Sequence, residues 1–76
     1  MRVLPVKLFT KPGCSACLGL KQQLEAKGIE FSIVDISKDR AGGMEIVDQG
    51  FRSVPVIQRD GAYLAGDDAR DLVASL

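Results

Sequence analysis

The sequence predicts an α/β domain of order β-α-β-α-β-β-α, built on one four-stranded mixed sheet with helices on both faces. Three observations carry this expectation. An apolar, β-branched run stops at Lys11-Pro12-Gly13, gives way to apolar residues spaced three and four apart, and resumes as an alternating run, the pattern of a βαβ unit. Asp60-Gly61 separates two further apolar runs, a strong local hairpin signal. The chain then closes on Ala69, Leu72, Val73 and Leu76, an i, i+3, i+4, i+7 stripe that suits the buried face of a helix.

Taken in order, residues 3–10 form the first strand, with Pro5 at its start, where the missing N–H does least harm. Residues 15–27 form the first helix. Cys17, Leu20 and Leu24 point inward, Lys21, Gln22, Gln23 and Glu25 fill the polar side, Gly19 is a mild weakness, and Gly28 stands at C′. Ile29, Phe31 and Ile33 alternate with Glu30 and Ser32 up to Asp35, which gives a second strand, parallel to the first through a right-handed crossover. Ser37 and Asp39 suit a helix start, Met44, Ile46 and Val47 offer a short apolar face, and Gly50 ends it. Gly42 and Gly43 either lie in this helix, at a cost of about 1 kcal/mol each, or precede it. Residues 54–58 and 62–64 flank the turn as antiparallel strands, and Asp67 or Asp68 caps the last helix.

A chain of 76 residues makes a single domain, residues 1–76, and buries only about 60 to 65% of the surface its unfolded form exposes. Its net charge is zero with both signs interspersed, so no basic or acidic block points to nucleic acid or to a membrane surface. Two cysteines and no histidine are too few for a four-ligand zinc site within one chain, which leaves the thiols available for chemistry. The apolar run at residues 3–9 is broken by Pro5 and Lys7, has no small-residue cleavage site after it, and is far too short to span a bilayer. A cytoplasmic location is therefore expected, where a lone Cys-x-x-Cys is more often catalytic than structural.

Cys14 and Cys17 stand three positions apart at a helix start, on one face and within about 5.5 to 6 Å at Cα, the range in which a disulfide closes and reopens. A thiolate, not a thiol, attacks disulfides, and the unpaired N–H groups of a helix N-terminus favour that anion, with Lys11 bringing a cation within reach. Cys14 is thus the expected nucleophile. Cys17, one turn further in beside Leu20 and Leu24, is the expected resolving thiol, which attacks the mixed disulfide on Cys14 and releases the reduced target. The alternatives are a buried structural Cys14, and a Cys17 that serves only as a core residue. Lys11 would pair with the thiolate or with a substrate carboxylate, or it is plain solvated surface.

Thr10-Lys11-Pro12-Gly13-Cys14-x-x-Cys17, Val54-Pro55 ahead of the third strand, and Gly66-Asp67-Asp68 opening the last helix follow one another in an order that resembles the glutaredoxin branch of the thioredoxin fold along nearly the whole chain. Gly50 to Ile57 is similar to the NrdH-redoxins, glutaredoxin-shaped proteins that take electrons from thioredoxin reductase and pass them to ribonucleotide reductase. Their usual Trp-Ser-Gly-Phe falls on Leu64-Ala65-Gly66-Asp67, where the glycine alone matches. Ordinary glutaredoxins carry Cys-Pro-Tyr-Cys and a Gly-Gly-Cys-Asp segment, which here read Cys14-Ser15-Ala16-Cys17 and Ala65-Gly66-Asp67-Asp68.

The resemblance implies a thioredoxin-like, glutaredoxin-type fold and a dithiol oxidoreductase, an electron carrier that reduces protein disulfides or glutathione mixed disulfides. It implies a cis Pro55 packed beside the sulfurs and a Val54 backbone that pairs with an extended peptide or glutathione; the alternative is a simple proline at the start of a strand. Asp68 matches the family aspartate that meets the glutamyl end of glutathione, and Asp67 replaces a neutral residue; as plain caps, both need no further function. Phe51 and Arg52 either contact a protein partner or serve core packing and solvation, and Tyr63 is read as sheet packing. The expected partners are a disulfide-containing protein and either thioredoxin reductase or glutathione as electron donor, with ribonucleotide reductase as a target. No tightly bound cofactor is expected, glutathione being a co-substrate, and the chain is expected to act as a monomer. The rival reading is a scaffold glutaredoxin, in which Cys14 from two chains and two glutathiones hold an iron-sulfur cluster.

Overall fold

The structure, a computed structural model, describes residues 6–76. Along the chain run β1 (Val6–Thr10), α1 (Ser15–Ala26), β2 (Phe31–Asp35), α2 (Arg40–Asp48), β3 (Val56–Arg59), β4 (Ala62–Ala65) and α3 (Gly66–Ser75). The element order is the expected one. Residues 3–5 of the first predicted strand, Pro5 included, lie outside the described residues.

The sheet is ordered β2-β1-β3-β4, with β1 parallel to β2 and antiparallel to β3, and β3 antiparallel to β4. Asp60 (φ 53°) and Gly61 (φ 82°) are both left-handed, as a two-residue hairpin turn of the primed type requires. Alternate residues of the central strands then face opposite layers. Val6, Leu8 and Ile57 pack with Leu20 and Leu24 of α1 and Ala69 and Val73 of α3, while Phe9 and Val56 pack on the other face with Ile46 of α2. Burial on both faces is why β1 reads as an almost unbroken apolar run.

The C-terminal ends of α1 and α2 close in the same way. After α1, Gly28 (φ 68°) donates its N–H to Glu25 O and Ile29 donates to Leu24 O, each at 3.1 Å, a Schellman motif whose C″ residue packs on the core that holds Leu24. After α2, Gly50 donates to Val47 O and Phe51 to Ile46 O, each at 2.9 Å, and Phe51 packs beside Ile46. Ile29 therefore ends the helix rather than starting β2, and Phe51 is a packing residue. Lys27, placed in the helix by its pattern, is the C-cap.

Other expectations are corrected in α2 and α3. Asp39 caps α2, its carboxylate accepting from Gly42 N at 2.9 Å, whereas Ser37 folds back on Asp35 in the preceding turn. Gly42 and Gly43 lie inside the helix. A Cβ on Gly42 would sit 2.3 Å from Val34 Cγ1, so the bare backbone is what lets α2 approach β2. Met44 and Val47, expected on the buried face, are exposed, and Ile46 alone of the three is buried. Neither Asp67 nor Asp68 caps α3: β4 runs into the helix through Gly66 (φ 58°), Ala65 holds the N-cap position with no side-chain bond, and both aspartates fall in the first turn.

A polar cluster ties α2 to the sheet. Tyr63 Oη donates to Glu45 Oε2 at 2.5 Å, Lys7 Nζ donates to Glu45 Oε1 at 3.0 Å, and Gln58 Nε2 donates to Tyr63 Oη at 3.4 Å. The Tyr63 bond, with Lys7 adding to it, holds the Glu45 carboxyl below its ordinary 4.5, and the same bond to an anion pushes the Tyr63 hydroxyl above its ordinary 10.0. Glu45 thus contributes stability above pH 4.5 that is lost as pH falls through its lowered pKa; Tyr63 contributes stability below pH 10 that is lost as pH rises through its raised one. Tyr63→Phe is expected to cost about 1 kcal/mol near neutral pH, at the low end for a bond to a charged group because water reaches the pair. Urea unfolding across pH checks this. The gap between the two proteins should close at both pH extremes, and a gap that stays constant into acid would contradict the bond to Glu45.

Candidate functional site

β1 delivers the chain through Lys11-Pro12-Gly13 to Cys14, with Gly13 left-handed at φ 77°, a conformation open to glycine at no steric cost. Cys14 occupies the N-cap of α1 with extended backbone, and Cys17 sits in the first turn. The two are joined in a disulfide with a Cα separation of 5.3 Å. Cys17 N donates to Cys14 Sγ at 3.1 Å, so an orphan helix N–H already meets the sulfur that would carry a thiolate's charge.

The two sulfurs have unequal surroundings. Cys17 is 2% exposed, on the same inward stripe as Leu20 and Leu24, whereas Cys14 is only half-buried at the lip. The apolar spacing that places Leu20 and Leu24 in the core therefore also withdraws the second cysteine from solvent.

Val54 and Pro55 stand just ahead of β3, both half-buried, and the peptide between them is cis, as the resemblance implies. Pro55 lines a groove of about 290 Å³ between α1 and α3, together with Ala16, Gly19, Gly66 and Arg70. Gly19 acquires a meaning here that its helix propensity hid. Nothing lies within 4 Å of where its Cβ would be, and the missing side chain leaves that wall of the groove open.

Asp67 and Asp68 lie exposed in the first turn of α3, where carboxylates suit the positive end of the helix dipole. Asp67 is engaged by Arg70, one turn on, in an ion pair. Arg70 was not singled out from the sequence, although its i, i+3 spacing from Asp67 was a usable signal. Lys11 is exposed and lines a separate cleft with both cysteines. The structure thus gathers Lys11 with the sulfurs, and Pro55 with the start of α3, on two flanks of α1. Arg52 is exposed beside the Val54-Pro55 element, and Tyr63 belongs to the Glu45 cluster. Among the described residues no cluster of three or more His, Cys, Asp or Glu side chains could hold a metal ion, and no helix is long and apolar enough to cross a membrane.

Comparison with known proteins agrees with this geometry. The glutaredoxin family model matches residues 6–64. The gene 56 protein of Mycobacterium phage D29 is 33% identical over 57 residues, which cover 74% of this chain and 63% of that protein. The glutaredoxin-like protein NrdH of Salmonella typhimurium is 28% identical over 64 residues, covering 84% of this chain and 72% of its own. Among solved structures, the NrdH-redoxin of Escherichia coli superposes with a TM-score of 0.82 at 22% identity, over 93% of this chain and 92% of that one, which places the fold in the thioredoxin-like class. The chain spans less than two thirds of the first curated relatives it matches, 63%, 32% and 26% of their lengths.

Proposed function

Since the chain belongs to the glutaredoxin family, we propose that it is a dithiol thiol-disulfide oxidoreductase, with Cys14 the nucleophile and Cys17 the resolving thiol. One observation carries the reading: a closed Cys14–Cys17 pair at a helix N-terminus, with one sulfur at the lip and the other almost wholly withdrawn. The unequal exposure sets the order of attack. The reduced Cys14 thiolate attacks a target disulfide, one target thiol leaves, and Cys17 then attacks Cys14 Sγ, expelling the second target thiol. Two electrons and two protons pass from the dithiol to the target, and the disulfide seen here is the oxidised product.

The substrates in this reading are protein disulfides or glutathione mixed disulfides in the cytoplasm, met by a monomer without a tightly bound cofactor. Extended substrate would pair with the Val54 backbone beside Pro55. Lys11 would draw a carboxylate to the mouth of the site.

For the electron donor we favour thioredoxin reductase over glutathione. Asp67, which replaces a neutral residue of the family, sits with Asp68 in the first turn of α3, paired with Arg70, and there competes with an incoming glutathione carboxylate for the helix N-terminus. Similarity to NrdH makes ribonucleotide reductase the acceptor to test first. Reduction of a test disulfide is to be followed as NADPH consumption with thioredoxin reductase, and separately with glutathione and its reductase. Turnover with thioredoxin reductase alone is expected. Turnover with glutathione alone would reverse the choice of donor, and turnover with neither would remove the oxidoreductase reading.

A further inference from the structure

The disulfide borders a second concavity, on the flank of α1 that faces away from the Pro55 groove. It is a cleft of about 540 Å³, within the range of small-molecule sites, and both cysteines line it. One wall is α1, through Leu18 and Lys21; the other is the edge strand β2, through Ile33 and Asp35. These pairs lie at i, i+3 on the helix and i, i+2 on the strand, so each wall presents one apolar and one charged residue.

The apolar lining stands out against its neighbours. Ile33 is directly opposite Leu8 in the parallel register, yet Leu8 is wholly buried and Ile33 is 46% exposed, because the helix layer does not extend over the edge strand. Leu18, across the gap, is 51% exposed. Two large aliphatic side chains thus face one cleft that none of the described residues fills.

The charge in the cleft is positive. Lys11 at the mouth and Lys21 on the helix wall make no ion pair among the described residues. The one carboxylate, Asp35, is turned to the adjoining turn, where its Oδ1 accepts from Ser37 N at 2.9 Å and Ser37 Oγ at 2.6 Å. Seven residues of helix, at about 1.5 Å rise, set Lys21 about 10 Å along the axis from Cys14, with the aliphatic pair between.

We propose that this cleft is a substrate subsite for low-molecular-weight disulfides, seating the arm that stays on Cys14 in the mixed disulfide, an arm with an apolar body and a carboxylate. The inference rests on the oxidoreductase reading above and names a substrate class for it. The apolar body lies between Leu18 and Ile33, and the carboxylate meets Lys21. No outside reductant is needed for one turnover: the Cys14 thiolate bonds to one substrate sulfur as the substrate S–S bond breaks and the first thiol departs. Cys17 then closes on Cys14, its proton going with the second thiol.

The test is a single turnover of pre-reduced protein with two chromogenic aromatic disulfides, dithiobis(nitrobenzoate), which carries a carboxylate on each arm, and neutral dipyridyl disulfide. The ratio of their rate constants is the readout. Lys21→Glu should lower the anionic-over-neutral ratio about tenfold, the effect of reversing one charge about 5 Å from a carboxylate in a water-like medium. Arg59→Glu makes the same charge change in the distant β3–β4 hairpin and should move the ratio by less than about twofold. Ile33→Ser should raise the half-saturating concentration of both probes about fivefold. An unchanged ratio in Lys21→Glu, or an equal fall in Arg59→Glu, would overturn the subsite. The mass of the wild-type product separates this from failure of the parent reading: a Cys14–Cys17 disulfide without adduct keeps the oxidoreductase, whatever the ratio shows.

Discussion

Cys14→Ser is expected to abolish disulfide reduction, lowering the rate by at least about a thousandfold with every reductant. The magnitude follows from the chemistry of the attacking atom. A serine hydroxyl has no accessible anion near neutral pH, and the Cys17 N–H that meets Cys14 Sγ cannot make it one. Cys17 does not substitute for it, since at 2% exposure it is closed to a protein disulfide. Because Cys14 is half-buried at a helix cap, and serine is itself a favoured cap, the reduced variant should unfold close to reduced wild type. Steady-state turnover together with denaturant unfolding separates lost chemistry from lost fold.

The second large effect concerns two adjacent glycines with opposite outcomes. Gly42→Ala should destabilise the domain by about 1 to 2 kcal/mol, because a Cβ 2.3 Å from the stiff, β-branched Val34 forces α2 off β2, by more than the helix propensity gained. Gly43→Ala, whose Cβ would meet Ile36 at an ordinary 3.8 Å, should stabilise by about 0.5 to 1 kcal/mol. In a domain of this size each kcal/mol moves the melting temperature by roughly 4 to 8 °C, so the two melts should separate clearly. Adding Val34→Ala to Gly42→Ala should recover part of the loss, a coupling that independent sites do not show. Equal shifts from the two alanines would refute the close approach.

How much was legible in the sequence depends on the distance over which each signal acts. Helix spacing, the Asp60-Gly61 turn and the glycines at positions 28 and 50 are local, and over the described residues they place the elements within a few residues. What could not be read was tertiary. That β2 is an edge strand, leaving Ile33 uncovered, follows from sheet order. That Gly42 faces Val34 follows from how closely α2 docks on β2, and nothing local marks which of two neighbouring glycines is indispensable. Asp67 and Asp68 looked like caps by type, but the left-handed Gly66 starts α3 one residue earlier. At the site the cysteines were legible because their spacing sets both the bond and the burial. The groove wall at Gly19 and the cleft between α1 and β2 were not, since each is made by elements that meet only in the fold.

The unequal roles of the two cysteines are the centre of the account, and the mixed disulfide tests them most directly. Cys17→Ser is to be reduced, mixed with a target disulfide and analysed by mass spectrometry with peptide mapping. A stable adduct on Cys14, at one per chain, is the predicted result, and Cys14→Ser under the same conditions should carry none on Cys17. An adduct on Cys17, or a Cys14→Ser protein that still reduces disulfides, would contradict the assigned direction of attack.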